Sequence, residues 1–302
     1  MLLPLRADET IDFGALEAEI EALLAAQVAG IYSNGSAGEF YAQSHEEYLQ
    51  VNALLSAKCR AADVPFQVGA CHASPQETLR RIRDARPLEP AAFQVILPDW
   101  FVTRGEEVFA FLERVIREAA PSGIVLYNPP HAKRQLSPEE FGALADRFPG
   151  LLGIKVGGGD DAWYAEMREK CGDLSIFIPG HFLATGLQSG AHGAYSNVAC
   201  LEPACAVAWN ALALSRPQEA LETQQEIIAF LEAHIAPYLK QGYINAAADK
   251  LLAAIGGWSP VSTRLRWPYR WVAEEDAKAL RDIARKKLPR FFSLGLAPVA
   301  AG

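Results

Sequence analysis

Cysteine is scarce in this 302-residue chain: five thiols, Cys59, Cys71, Cys171, Cys200 and Cys205, with no CxxC pair among them. An odd count without paired spacing excludes a disulfide framework and fits reduced, mostly buried thiols in a cytoplasmic protein. No uncharged apolar run reaches the roughly 18 to 20 residues that crossing a membrane requires. Even residues 204–214 are too short and carry Trp209 and Asn210. At the N-terminus the pair Asp8-Glu9 interrupts the chain before it could build the apolar core of a signal peptide, so neither export nor a membrane is expected. Positive charge is also lacking. Twenty-eight Lys+Arg stand against 36 Asp+Glu, a net charge of −8, and the basic groups at residues 264–270 and 285–287 are short, which disfavours nucleic acid. The six histidines show no HExxH or Cys/His ligand spacing, and no metal or cofactor is expected.

What the chain does hold is repetition. Short β-branched or aromatic runs ending in Gly, Asn or Pro occur at residues 30–33, 66–69, 93–97, 124–127, 152–156, 175–178 and 193–196. Their starts lie 18 to 36 residues apart, and amphipathic segments such as 17–26, 46–59, 106–119 and 138–148 fill most gaps. Strand, loop and helix therefore alternate. Leu2 to Leu5 would add an eighth strand, which makes an α/β fold of the (β/α)8 TIM-barrel type the simplest architecture. A doubly wound open sheet is the alternative, disfavoured because no GxGxxG follows the run at 30–33 and no reversal of strand order is evident. Beyond Asn197 the strand signals stop, and residues 204–214, 217–234, 245–255 and 274–288 read as helices. The expected division is a catalytic barrel over 1–215 and a C-terminal helical extension over 216–302, the last ten residues forming an apolar tail.

The active face of such a barrel lies at the C-terminal ends of its strands. Three polar features fall there: the loop Asn34-Gly35-Ser36-Ala37-Gly38-Glu39, the strand end Tyr127-Asn128-Pro129-Pro130, and Lys155 in Leu151-Leu152-Gly153-Ile154-Lys155-Val156. A lysine in an apolar strand either snorkels to water or is held in a pocket, where burial lowers its pKa and frees the neutral amine as a nucleophile. Tyr127 is either a core aromatic or a proton-transfer group. It precedes Lys155 by 28 residues, about one β/α unit, so both side chains could enter one barrel mouth. The small residues of the 35–39 loop leave backbone N–H groups uncovered, which suits a carboxylate or simply makes a tight turn before a helix capped by Ser44 and Glu47. Gly157 to Asp161 resembles a phosphate loop, but Asp160 and Asp161 fit a helix N-terminus better and would repel phosphate.

Taken together these motifs resemble the dihydrodipicolinate synthase and N-acetylneuraminate lyase family of Schiff-base aldolases. That family carries a G-[TS]-[TS]-G-E loop, a Y-N-x-P strand end, a G-[IV]-K strand and a G-x-x-G-x-x-S element in this order. They match Gly35-Ser36-Ala37-Gly38-Glu39, Tyr127-Asn128-Pro129-Pro130, Gly153-Ile154-Lys155 and Gly190-Ala191-His192-Gly193-Ala194-Tyr195-Ser196. The resemblance implies a metal-independent lyase, aldolase or dehydratase, acting on pyruvate or a related 2-oxo acid. It implies Lys155 as the Schiff-base nucleophile, Tyr127 as general acid/base and Ser36 as its relay partner. The amides of Ser36 and Ala37 would hold the substrate carboxylate, Tyr195 would contribute its backbone, and the chain would assemble as a homodimer or tetramer.

Several residues depart from the family pattern. Ala37 replaces the loop's second hydroxyl, and Ala132, flanked by His131, Lys133 and Arg134, stands where synthases carry a carboxylate-binding arginine. Pro98-Asp99-Trp100-Phe101 replaces the P-x-Y stretch that lends a tyrosine to a neighbouring subunit, and an indole cannot relay a proton as a phenol does. Trp100, His131 and His181 are therefore candidate pocket residues around an altered mouth, with Phe101 beside them, though Trp100 and Phe101 would serve equally at a subunit contact. These departures point away from a synthase of the usual kind. Two further readings stay open: a non-catalytic 2-oxo-acid-binding or regulatory barrel that has lost its relay, and a metal-dependent aldolase using histidines with Asp160 and Asp161.

Overall fold

The computed structural model describes residues 1–295. Its sheet has seven strands, β1 (Ile31–Ser33), β2 (Phe66–Gly69), β3 (Ala92–Ile96), β4 (Gly123–Tyr127), β5 (Leu151–Lys155), β6 (Ser175–Pro179) and β7 (Gly193–Tyr195). All pair in parallel in the order of the chain. Each lies within one residue of the expected run. The unbroken order removes the doubly wound alternative, which needs a reversal. Between the strands run α1 (Phe13–Ala25), α2 (His45–Ala61), α3 (Pro75–Ala85), α4 (Glu106–Ala119), α5 (Pro138–Arg147), α6 (Asp161–Lys170) and α7 (Leu183–Ser189).

Local chemistry sets the helix starts. Ser44 and Glu47 close a capping box on α2, and Ser137 and Glu140 do the same on α5, where Pro138 occupies the first turn. Asp160 accepts from the Trp163 amide at 2.9 Å to open α6, so the two aspartates after the glycines act as helix-starting groups.

The strands alternate in a way that fixes both faces of the sheet. Val68, Phe93, Val95, Leu126, Ile154 and Ile176 are buried in one cluster with Leu16, Ile20, Leu55, Ile82, Leu112 and Leu144 of the surrounding helices. The intervening residues, Gln67, Gln94, Tyr127, Lys155 and Phe177, occupy the opposite face. That face curls shut. Six inter-strand spacings of about 4.8 Å would hold β1 and β7 roughly 29 Å apart in a flat sheet. Instead the rings of Tyr32 in β1 and Tyr195 in β7 have centroids 5.2 Å apart.

The segment Leu2 to Leu5, expected as an eighth strand, forms no ladder. Leu5 makes one antiparallel bridge to Ile11, the Leu2 amide donates to Glu19 at 2.6 Å, and the Met1 amino group donates to the Tyr32 carbonyl at 3.0 Å. Pro4, which has no N–H, and this diversion of hydrogen bonds to α1 and β1 explain why the run is apolar yet not a strand.

After β7 the described elements are helical: α8 (Asn197–Leu201), α9 (Pro203–Ser215), α10 (Pro217–Phe230), α11 (Ala236–Lys240), α12 (Asn245–Gly256), α13 (Glu274–Lys287) and α14 (Pro289–Leu294). The helix expected over 217–234 stops at Phe230 and passes through a π-helical turn, Leu231–Ile235, ahead of Pro237. A second apolar cluster, running from Leu183 to Phe292 and including Trp209, Phe230, Leu251, Ile255 and Phe291, unites these helices with α7. Of the expected C-terminal tail, Ser293 and Leu294 complete α14, and residues 296–302 lie outside the described residues.

Candidate active site

Lys155 ends β5 and is paired in register with Tyr127, which ends β4, and with Phe177 of β6. Parallel pairing of neighbouring strand ends thus brings the two expected residues side by side. The Lys155 Nζ lies 4.3 Å from the Tyr127 ring centroid, 5.0 Å from that of Tyr195 and 5.4 Å from that of Tyr32. Removal from water pushes the amine down to about 8, against the opposing pull of the Asp249 carboxylate. Neutral amine is therefore accessible near pH 7 to 8. Burial likewise pushes the Tyr127 phenol up to about 12, opposed by the influence of the Ser36 hydroxyl.

The loop after β1 is held in shape by its own polar network. Asn34 takes a left-handed conformation (φ 52°), accepts from Asn52 at 2.8 Å and donates to Gln43 at 2.7 Å, and Gln43 donates in turn to the Gly38 carbonyl at 2.6 Å. Gly69 lets this loop lie across β2, since a Cβ there would run into the Asn34 carbonyl oxygen. The Ser36 and Ala37 side chains are half-buried, and their amides donate to no acceptor among the described residues. Glu39, fully buried, accepts from Lys250 of α12 at 2.6 Å and from the Arg266 amide at 2.9 Å. The loop is thereby tied to the C-terminal helices, and the seat of α12 over the strand ends is fixed.

Tyr32, Gln67, Gln94 and Asp249 carry no sequence motif. Tyr195 donates to Gln67 at 2.5 Å, Gln67 donates to Gln94 at 3.4 Å, and Gln94 donates to the Tyr32 phenol. Tyr195 thus offers its ring and hydroxyl here, where the family pattern implied only its backbone. The signal for Tyr32, Gln67 and Gln94 was period-2 alternation in Ile31-Tyr32-Ser33, Phe66-Gln67-Val68 and Phe93-Gln94-Val95. Asp249 of α12 had no comparable signal. It is half-buried, and burial pushes its carboxyl up to about 6 against the nearby Lys155 charge.

The candidate pocket residues separate. His181, half-buried after β6, places Nδ1 3.1 Å from Asn197 Oδ1, and burial lowers its pKa. Trp100 and Phe101 point to solvent, 78% and 83% exposed, and His131 is also exposed. Lys133 sits over the Trp100 ring at 5.8 Å, and Arg134 is bound to Glu140. The cations flanking Ala132 are therefore each engaged by a partner of their own, Trp100 and Glu140.

An amine and a phenol at adjacent strand ends, beside uncovered amides in a curled parallel α/β sheet, form a site suited to carbonyl chemistry. The chain belongs to the dihydrodipicolinate synthetase family, whose model matches residues 1–287. It is 28% identical over 299 residues to a 4-hydroxy-tetrahydrodipicolinate synthase of Ruegeria pomeroyi, covering 95% of this chain and 96% of the relative. It is 26% identical over 288 residues to a probable 5-dehydro-4-deoxyglucarate dehydratase of Corynebacterium glutamicum, with coverages of 91% and 86%. Its fold is similar to that of YagE, a prophage protein of the dihydrodipicolinic acid synthase family from E. coli K12, solved in complex with pyruvate. The TM-score is 0.81 at 21% identity, over 95% of this chain and 96% of that one.

Proposed function

We propose that this protein is a Schiff-base-forming lyase, an aldolase or dehydratase acting on pyruvate or a related 2-oxo acid without a metal or other cofactor. The observation that carries the reading is the Lys155 amine, its pKa near 8, ringed by Tyr32, Tyr127 and Tyr195. In this reading the Ser36 and Ala37 amides hold the substrate carboxylate and turn its ketone toward Lys155. The neutral amine adds to the carbonyl carbon. Tyr127, partnered by Ser36, protonates the departing carbinolamine hydroxyl, so that water leaves and an iminium remains. The iminium accepts the electron pair released when a carbon–carbon bond breaks, or when a proton is lost ahead of hydroxide elimination. The Tyr195–Gln67–Gln94–Tyr32 chain supports the rings that enclose this centre.

We further propose the (β/α)8 form for the catalytic barrel, with the N-terminal segment beside β1 taking the eighth position, and a homo-oligomer as the working state. Five free thiols, four of them buried, support a reducing, cytoplasmic setting, which cell fractionation reads directly.

The test is intact-protein mass spectrometry after borohydride reduction with pyruvate. Wild type is expected to gain one reduced pyruvyl group, and Lys155→Ala to gain none. Absence of an adduct on wild type, or an equal adduct on the variant, would sink the proposal. A trapped adduct without turnover on any 2-oxo acid would instead mark a barrel that binds but does not catalyse.

A further inference from the structure

We infer that Asp249 is a specificity-determining residue of this site: it rejects a second carboxylate on the distal arm of the substrate and favours an uncharged arm that carries a hydrogen-bond donor. The inference rests on the Lys155 reading above and concerns what lies beyond the keto acid.

Placement comes first. Three contacts fix the position of α12. A Cβ at Gly256 would run into the Leu201 carbonyl oxygen, so only glycine permits this approach to α8. Lys250 is locked in the buried pair with Glu39. Ala253 packs with Leu2 and Val261 against Ala37 and Cys200. Asp249 lies four residues before Ala253, hence on the same face and one turn along. That face abuts the loop bearing the uncovered Ser36 and Ala37 amides.

The neighbours agree with this position. The Asp249 charge is felt by Lys155 on β5, Tyr127 on β4, Tyr41 after the 35–39 loop and Cys200 on α8, with the Met1 amino group also facing it. No hydrogen-bond donor among the described residues satisfies the carboxylate, which is half-buried. A half-buried acceptor facing a site without a protein donor is satisfied by water or by the ligand.

The charge balance then decides what the ligand is. The 2-oxo acid carboxylate and the iminium cancel, and the Met1 amino group, which donates to the Tyr32 carbonyl at 3.0 Å, offsets part of the Asp249 charge but leaves its oxygens without a donor. The cations that a shifted motif could have offered are engaged elsewhere, Lys133 over Trp100 and Arg134 with Glu140. A carboxylate on the distal arm would meet like charge in a partly desolvated cleft, which is strongly unfavourable. A hydroxyl would donate to Asp249.

The test uses 2-oxo acids that differ only in the arm: 2-oxoglutarate, 2-oxopentanoate and 5-hydroxy-2-oxopentanoate. Each is trapped on Lys155 with borohydride, and trapping efficiency is expressed relative to pyruvate within each protein, which cancels any change in amine reactivity. Wild type is expected to trap 2-oxopentanoate at least tenfold better than 2-oxoglutarate, and the hydroxylated acid best of the three. Asp249→Asn should narrow the first ratio at least fivefold, and Asp249→Glu, which restores the charge, should keep it. Equal ratios in wild type and Asp249→Asn, or a wild-type preference for 2-oxoglutarate, would overturn the inference while leaving Lys155 intact. Loss of trapping with every acid in wild type would instead remove the reading on which it rests.

Discussion

At the scale of single residues, the interior separates groups that the sequence marks from groups that it hides. Lys155, Tyr127 and Ser36 are legible because an ionisable or hydroxyl side chain ends an apolar strand or follows it, and strand ends form the open face. Asp249 and Lys250 are not, since Ala-Ala-Ala-Asp-Lys reads as the solvated side of an ordinary helix, and only packing against a loop some two hundred residues earlier buries it. Glu19 is hidden in the same way. Its side chain is 1% exposed, one oxygen accepts from the Leu2 amide, and the other has no partner. Burial pushes its carboxyl up to about 7 from the ordinary 4.5. A raised carboxyl pKa means that the folded state holds its proton longer than the unfolded one, so this contribution is full below about pH 4.5 and is lost as pH rises through 7. Glu19→Gln keeps an acceptor for Leu2 and cannot ionise. Urea unfolding should therefore show the variant gaining about 2 kcal/mol on wild type between pH 5 and pH 8. A constant difference across that range would mean that Glu19 does not ionise in the folded protein.

At the scale of elements, the strands were legible to within a residue because β-branched and aromatic runs between turn residues define them, whereas Leu2 to Leu5 had the composition without the partners. The decisive element for the site is α12, and its hold on the β1 loop is a buried ion pair with both side chains at 0% exposure. Such a pair adds little over an apolar replacement of both partners, yet losing one partner strands the other charge. Lys250→Met leaves Glu39 with only the Arg266 amide, and should cost about 3 to 5 kcal/mol in denaturant unfolding. The double change Glu39→Gln with Lys250→Met should recover part of that loss. A single variant within 1 kcal/mol of wild type would show that the tie between loop and helix does not depend on the pair.

At the scale of the whole molecule, a chain that packs two large apolar clusters still leaves large aromatic surfaces in water. Trp100 and Phe101 follow β3 side by side at 78% and 83% exposure, and the Lys133 ammonium lies over the Trp100 ring. Adjacent exposed aromatics have the composition of an interface centre, where Trp and Phe are enriched, and Lys133 and Asp99 beside them have that of its polar rim. A net charge of −8 opposes association elsewhere on the surface, so a local apolar contact of this kind is where copies would meet. The loop also follows the strand that carries Gln94, so an assembly joined through it would sit close to the mouth of each site. Sedimentation velocity should find wild type as a dimer or larger at micromolar concentration, and Trp100→Glu with Phe101→Glu should shift it to single copies while the far-ultraviolet circular dichroism stays the same. A wild type that sediments as one copy, or an assembly indifferent to two buried glutamates, would place the subunit contact elsewhere and leave this aromatic pair without a role in assembly.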